Sequence, residues 1–386
     1  MNDKNYYPYQ QCKKCVMDIS AKDIIFDDDG VCNYCKEFIK RSGHIINESK
    51  GSKQERLKLL VEKVKKSGIG KRYDCIVGVS GGVDSSWTLV EVKRLGLRPL
   101  AVHLDNGWNS ELAQNNIENL VTSLGVDLYT HVIEWEEYRA LMQAFFNADV
   151  IDIELLYDNA MLAINYKLAS QYKLEFILSG SNQATEGMNI PKSWNWFKFD
   201  KLNIQKIAKI NDIYKFKTFP SVGTYEYIFY SIIKRIRWIS FPDFIHYDKF
   251  SAIETLKRDY GYKPYPYKHY ESIFTRLYQG YILPNKFGID KRKVHLSTLV
   301  ISGQLSRDAA LEGLSGIAYP NVNVLNEDIA YFLKKMKWSS NEFQEYIKRP
   351  EIMHDKYRSE KWVYDFLFKI AKKIPKNFGK FLFPQK

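Results

Sequence analysis

From residue 73 to residue 179, short apolar runs alternate with stretches of helical periodicity, and this alternation limits the possible folds more than any other feature. Tyr73 to Val79, Leu97 to Leu104, Val126 to Ile133 and Leu174 to Ser179 read as strands. Short apolar runs of this kind suit strands covered on both faces. The stretch through Trp87, Leu89, Val90 and Val92, then Glu111 to Leu124, then Ile153 to Tyr172, read as helices. The order implies an α/β fold with a doubly wound parallel sheet. Ligands of such sheets sit beyond the carboxyl ends of the strands. Three polar, glycine-bearing segments are expected there: Ser80 to Ser86, Asp105 to Trp108 and Ser179 to Gly187.

The first segment carries the most chemistry. Gly81 and Gly82 let a ligand approach the backbone, and amides at the start of the following helix form an anion cradle. Ser80, Ser85 and Ser86 add hydroxyl donors. Asp84 repels phosphate unless a cation lies between them, so its simplest role is to hold Mg2+. No Gly-Lys-Ser/Thr follows, which excludes a Walker A loop.

Four of the five cysteines form two pairs, Cys12 with Cys15 and Cys32 with Cys35, each with two residues between partners. Two such turns suit the four-thiolate shell of structural zinc, which leaves no open position for catalysis. The N-terminal residues contain no apolar signal segment. The most membrane-like stretch, Tyr227 to Ile245, is broken by Lys234, Arg235 and Arg237. A cytoplasmic location, with thiols reduced, is expected. A net charge of +12 favours anionic partners without choosing among nucleotides, nucleic acid and anionic membrane.

The run from Ser80 to Ser86 resembles the PP-loop of ATP pyrophosphatases, the family of GMP synthetase, NAD synthetase, asparagine synthetase and tRNA-modifying enzymes. Members split ATP into AMP and pyrophosphate, adenylating a substrate oxygen that a nucleophile then displaces. Val102 to Trp108 resembles the segment that frames adenine in these folds, and Leu178 to Asn182 a later nucleotide loop. On that basis His103, Asp105, Gly180 and Ser181 join Ser80, Gly81, Gly82, Asp84, Ser85 and Ser86 as expected ATP contacts.

The cysteine pattern, the Leu104 to Trp108 segment and the run Gly180 to Gly187 together resemble N-acetyl sugar amidotransferases of surface-polysaccharide (LPS O-antigen) biosynthesis. So do His269 to Arg276, Gln279 to Pro284, Lys286 to Arg292 and His295 to Ser297. The resemblance spans residues 10 to 320 and implies conversion of a sugar acetamido group to an acetamidino group. Asn182, Glu186 and Arg292 are the substrate-binding residues it suggests, with a nucleotide-linked sugar as partner. Arg276, Lys286 and Arg292 suit neutralisation of phosphate or carboxylate, and Glu271 suits orienting ammonia or taking its proton. Asp84, Glu271, Arg276 and Lys286 are thus the expected catalytic set.

The four paired cysteines are assigned to zinc, Cys75 lies inside an apolar strand, and the chain begins Met1-Asn2. No thiol is left for a glutaminase, so ammonia is expected from solution or a separate subunit. The resemblance implies a partner similar to the glutaminase of histidine biosynthesis. Two other readings stay open: a lysidine-synthetase-like PP-loop enzyme acting on tRNA, although nucleic acid is the less expected partner, and a zinc-ribbon scaffold.

The chain divides as 1–50, a ribbon; 51–190, the PP-loop domain; 191–320, a helical substrate-binding extension; and 321–386, a basic tail. Gly43 to Lys53 reads as a linker, followed by a helix from Gln54 to Lys66. Helices are expected over Phe250 to Tyr260, Glu271 to Tyr278, Arg292 to Ile301 and Ser306 to Leu314, with a capping box at Ser339 and Glu342. In the tail, Trp362, Val363, Phe366, Leu367, Ile370 and Ile374 recur near helical spacing beside Lys369, Lys372, Lys373, Lys376 and Lys380. Such a helix either packs on the protein or contacts an anionic membrane.

Overall fold

The computed structural model describes residues 9–265 and 270–373, with side chains to residue 370. His269 and the tail beyond Lys373 lie outside it. The sheet is built from β1 (Cys75–Gly78), β2 (Pro99–Asp105), β3 (Leu128–Val132), β4 (Phe176–Ser179) and β5 (Arg237–Ser240). Its order is β3-β2-β1-β4-β5, with every neighbouring pair parallel. The chain reverses its winding beside β1, so the crevice beyond the carboxyl ends of β1 and β4 is where a ligand meets the least backbone.

Alternation along the strands divides the core in two. Ile76, Leu100, Val102 and Leu104 pack with α5 (Trp135–Asn147) and α6 (Leu155–Gln171). Cys75, Val77, Val79 and Ala101 pack with α2 (Lys50–Ser67), α3 (Val83–Arg94) and α4 (Glu111–Leu124). The four expected strands form within a residue or two of the expected bounds, and α4 occupies the expected span. The fifth strand was not foreseen. It lies within the stretch with most membrane character, and among the described residues no helix is long and apolar enough to cross a membrane.

The stretch read as a linker is mostly helical. α1 (Asn33–Ile46) runs through Gly43, and Ser49 caps α2 by accepting the amide of Ser52 at 3.3 Å. Only three residues separate the two helices, because the Ser49 cap overrides the weak helix preference of glycine and serine.

Beyond β5 the chain is helical. It forms α10 (Lys249–Tyr260), α11 (Ile273–Leu277), α12 (Arg292–Ile301), α13 (Arg307–Leu314), α14 (Val322–Met336), α15 (Ser340–Lys348) and α16 (Lys361–Lys373). A π-helical stretch, Tyr278–Phe287, continues α11, and Pro284 within it has no amide to donate. The Ser339–Glu342 capping box forms at the start of α15 as its spacing predicts.

Trp108 fastens this helical region to the sheet. The indole is fully buried and touches Trp135, Phe274, Tyr331 and Phe332 at centroid distances of 5.3–6.0 Å. Its carbonyl accepts from Ile273 N at 2.9 Å, and Ser110 N donates to Glu271 O at 2.9 Å.

Candidate active site

A cavity of about 620 Å³ opens beyond the carboxyl ends of β1, β2 and β4. Ser80, Gly82, Asp84 and Ser85 line it, as do Glu271, Arg276, Lys291 and Arg292. Val102, Leu104, Tyr157, Met161 and Leu162 line an apolar part beside them.

The loop before α3 is held open by its own side chains. Ser80 N donates to Ser85 Oγ at 3.2 Å, Gly82 N to Ser80 Oγ at 3.3 Å, and Ser85 Oγ to Gly82 O at 3.1 Å. Gly81 has φ +82°, and a Cβ there would lie 2.7 Å from Ala113 O. Gly82 caps α3 without a side-chain acceptor, leaving the first-turn amides for an anion. Gly180 presses on this turn, since a Cβ there would lie 2.7 Å from Ser85 N.

Asp84 is oriented by three donors, all on Oδ1: Tyr247 Oη at 2.5 Å, Asn182 Nδ2 at 3.3 Å and Thr185 Oγ1 at 3.3 Å. Burial and the adjacent carboxylate push the Tyr247 phenol far above its ordinary pKa, so it stays a donor at all working pH values. Glu271 sits against the loop, where a methyl group on Gly82 would collide with its Oε1. Asp84, Glu186 and Glu271 all line the cavity, while among the described residues only the four cysteines converge closely enough to hold a metal by themselves. Asp84, in the first turn of α3, is placed for a cation that arrives with phosphate, not for one held by protein carboxylates alone.

Several expected contacts have other roles. Ser86 is buried and absent from the cavity lining, and its Oγ finds no acceptor. Val102 and Leu104 face the cavity, so His103 between them points to the other side of the sheet. Its Nδ1–H donates to Val79 O at 2.9 Å while Nε2 accepts from Asn109 at 3.0 Å. Burial lowers its pKa, keeping the ring neutral in that bridge. Asp105 Oδ1 accepts from Gly107 N at 2.8 Å and Asn109 Nδ2 at 3.2 Å, stabilising the turn that carries Trp108. Asn182 stands behind Asp84 and caps the short helix α7 (Gln183–Glu186).

The expected cations change most. Lys286 is remote from the cavity: its ammonium donates to Asp149 Oδ1 at 2.9 Å, Tyr346 O at 2.7 Å and Arg349 O at 2.8 Å. All three protons are used and the side chain is fully covered, so it braces α15 instead of meeting substrate. Arg276 does line the cavity, but its guanidinium grips Asp328 through two 2.5 Å bonds. Arg292 forks onto Asp290 and also donates to the carbonyls of Gly313, Leu314 and Gly316.

Lys291 was not singled out in the sequence, yet it lines the cavity and donates to Glu154 Oε2 at 2.7 Å, where Gln279 Nε2 also donates at 3.0 Å to Oε1. Asn165 was missed as well. It is buried at the cavity wall with Oδ1 lacking a protein donor while Nδ2 donates to Met161 O at 2.8 Å. Neither belongs to a local motif. Both reach the site only through tertiary packing.

The four cysteines gather as their spacing predicts. All are buried, with Sγ atoms within 4.8 Å of one another. The Cys12–Cys35 and Cys15–Cys32 separations are 3.8 Å and Cys32–Cys35 is 3.6 Å. Four sulfurs at about 2.3 Å from a tetrahedral metal lie about 3.8 Å apart, so the cluster fits a four-thiolate centre. Amides of Lys14, Cys15 and Cys32 point at Cys12 Sγ at 3.3–3.4 Å, as a thiolate requires. The knuckle leans on the cavity wall: Val16 N donates to Ser297 Oγ on α12, and Arg307 on α13 donates to Cys12 O and Cys15 O. Cys75 is fully buried in β1 and its thiol is pushed up by that burial.

The parallel sheet and the glycine-serine loop leading into α3 define a doubly wound α/β protein with an anion-receptive turn beside a cavity at the carboxyl edge of its sheet. Residues 271–372, about a quarter of the chain, match the family model "LPS biosynthesis protein WbpG-like, C-terminal domain". That segment supplies the cavity wall bearing Glu271, Arg276 and Lys291. No curated protein matches the chain. Among solved structures, an NH3-dependent NAD synthetase from Campylobacter jejuni is 14% identical, with TM-score 0.28, over 41% of this chain and 72% of that one. An NMN synthetase from Francisella tularensis is 18% identical, with TM-score 0.25, over 43% of this chain and 72% of that one.

Proposed function

We propose that the protein is an ATP-dependent amidotransferase acting on an N-acetylated, nucleotide-linked sugar in lipopolysaccharide biosynthesis. The observation that carries this is the meeting of the Ser80–Ser86 loop and the 271–372 wall around one cavity.

An amide carbon is a weak electrophile, and adenylation makes its oxygen a leaving group. The acetamido oxygen attacks the α-phosphorus of ATP and pyrophosphate departs. Ammonia then adds to the carbon and loses a proton, and AMP leaves with the former acetamido oxygen. The first-turn amides of α3 receive the pyrophosphate. Mg2+ carried with the nucleotide would be held by Asp84 and supplies charge neutralisation between the phosphates. Asn165 Oδ1, in the apolar part of the cavity, suits the amino group of adenine. Glu271, placed over the loop, suits orienting ammonia and taking its proton. Lys291, steadied by Glu154, presents positive charge to the adenylated intermediate.

Ammonia comes from a separate glutaminase subunit in this reading, because all five cysteines are buried and four are committed to the cluster. The metal of the cluster is zinc, structural in role. The test is mass spectrometry of UDP-linked N-acetyl sugars incubated with the protein, ATP, Mg2+ and ammonium. Replacement of the acetamido oxygen by nitrogen, with AMP and pyrophosphate formed in equal amounts, supports the assignment. ATP splitting with tRNA alone would favour the lysidine-type alternative.

A further inference from the structure

Helix α16 meets the body of the protein with one stripe and leaves a second stripe outside. Val363 is buried, and Tyr364, Leu367 and Phe368 pack on the core. Trp362, Phe366 and Ile370, one helical turn apart, point outward. A neighbouring helix repeats the pattern: α9 (Thr224–Ile228), continued by a π-helical turn through Ile233, buries Thr224, Tyr227 and Ser231 and exposes Tyr225, Phe229 and Ile233. The two helices set out from one carboxylate, since Glu360 precedes α16 and its Oε2 accepts from Thr224 N at 2.7 Å. One turn further in, the rings of Tyr227 and Tyr364 are 6.4 Å apart. The six outward side chains are between 41% and 69% exposed.

The charge around them is one-sided. Lys234, Arg235, Arg237 and Lys369 are exposed beside the stripes, and Lys234 Nζ lies 5.5 Å from the Phe229 ring centroid. The nearby acids Glu226 and Asp365 are already paired with Lys201 and Lys361. In sequence, the residues after α16 continue the pairing of charge with apolar bulk through Lys376, Phe378, Lys380, Phe381, Leu382 and Phe383. Protein–protein contact surfaces are depleted in lysine, whereas lysine beside exposed aromatics suits the headgroup region of an anionic bilayer.

We infer that the α9–α16 face docks on an anionic phospholipid bilayer, holding the enzyme at the membrane surface without crossing it. Each basic residue brought to the surface strengthens binding about fivefold, and the aromatic stripes add salt-independent affinity.

The test is co-sedimentation of the full chain with vesicles of phosphatidylcholine alone or mixed equally with phosphatidylglycerol. Binding to the mixed vesicles is expected, at least about tenfold stronger than to the neutral ones, and weakened by high salt. Trp362→Glu with Phe366→Glu, both exposed positions, is expected to cut binding at least about tenfold while melting temperature and ATP turnover stay unchanged. Equal binding to both vesicle types, no binding to either, or undiminished binding by the folded variant overturns the inference. So does a wild-type dimer that the variant dissolves, which would make the face an interface between copies.

Discussion

Lys286→Met separates a brace from a catalyst. The Lys286 side chain is fully covered, and its ammonium satisfies Asp149, two carbonyls at 2.7 and 2.8 Å, and the face of Tyr346 at 4.3 Å. Methionine nearly matches the volume but leaves those acceptors unanswered. Breaking a buried ion pair typically costs about 3–5 kcal/mol. Arg349 Nε still donates to Asp149 Oδ2 at 2.9 Å, which places the expected loss near the lower end, about 3 kcal/mol. For a chain of this size that is a fall of roughly 4 °C in melting temperature. Calorimetry reads the shift, and ATP–pyrophosphate exchange well below the melting point reads the chemistry. The folded variant is expected to retain turnover within about threefold. An unshifted melting point with turnover down about a hundredfold or more would refute the reasoning and return Lys286 to the site.

Asp84→Asn should abolish ATP turnover without unfolding the protein; activity at wild-type level in a folded variant would remove Asp84 from the phosphate site. Tyr247→Phe deletes one donor to Asp84 Oδ1, and a several-fold higher Mg2+ requirement is expected, with little change in melting temperature. One bound zinc per chain is expected by elemental analysis, and Cys12→Ser should lower stability before it lowers chemistry; active, metal-free protein would contradict this. Burial pushes the Asp243 carboxyl up to about 6. A raised folded pKa favours the native state below about pH 4, and that advantage is lost as pH rises through about 6. Asp243→Asn should therefore stabilise the protein by about 2 kcal/mol at neutral pH and by little near pH 4, and pH-resolved melting curves showing no such divergence would contradict that assignment.

The sheet was legible because β1, β2 and β4 are buried on both faces and so appear as uninterrupted apolar runs. β5 escaped notice because Arg237 and Ser240 leave only Trp238 and Ile239 apolar in a four-residue strand at the sheet edge. The cysteine cluster was readable from spacing alone, since two short turns fix four sulfurs whatever the rest of the chain does. The basic residues were not. Arg276, Lys286 and Arg292 look alike as sequence, and only tertiary packing shows that Asp328, Asp149 and Asp290 engage them. The same packing places Lys291 and Asn165 in the cavity, a fact no local pattern encodes. His103 was misplaced by one step of strand alternation, which sends consecutive side chains to opposite faces.

The fate of the acetamido oxygen reports whether the sugar amide is adenylated. A UDP-linked N-acetyl sugar carrying heavy oxygen in its acetamido group is incubated with the protein, ATP, Mg2+ and ammonium, and the nucleotide products are weighed by mass spectrometry. Adenylation of the amide oxygen gives one labelled oxygen in AMP, unlabelled pyrophosphate and an acetamidino sugar free of label. Unlabelled AMP beside an amidinated sugar, or ADP and phosphate in place of AMP and pyrophosphate, would contradict it.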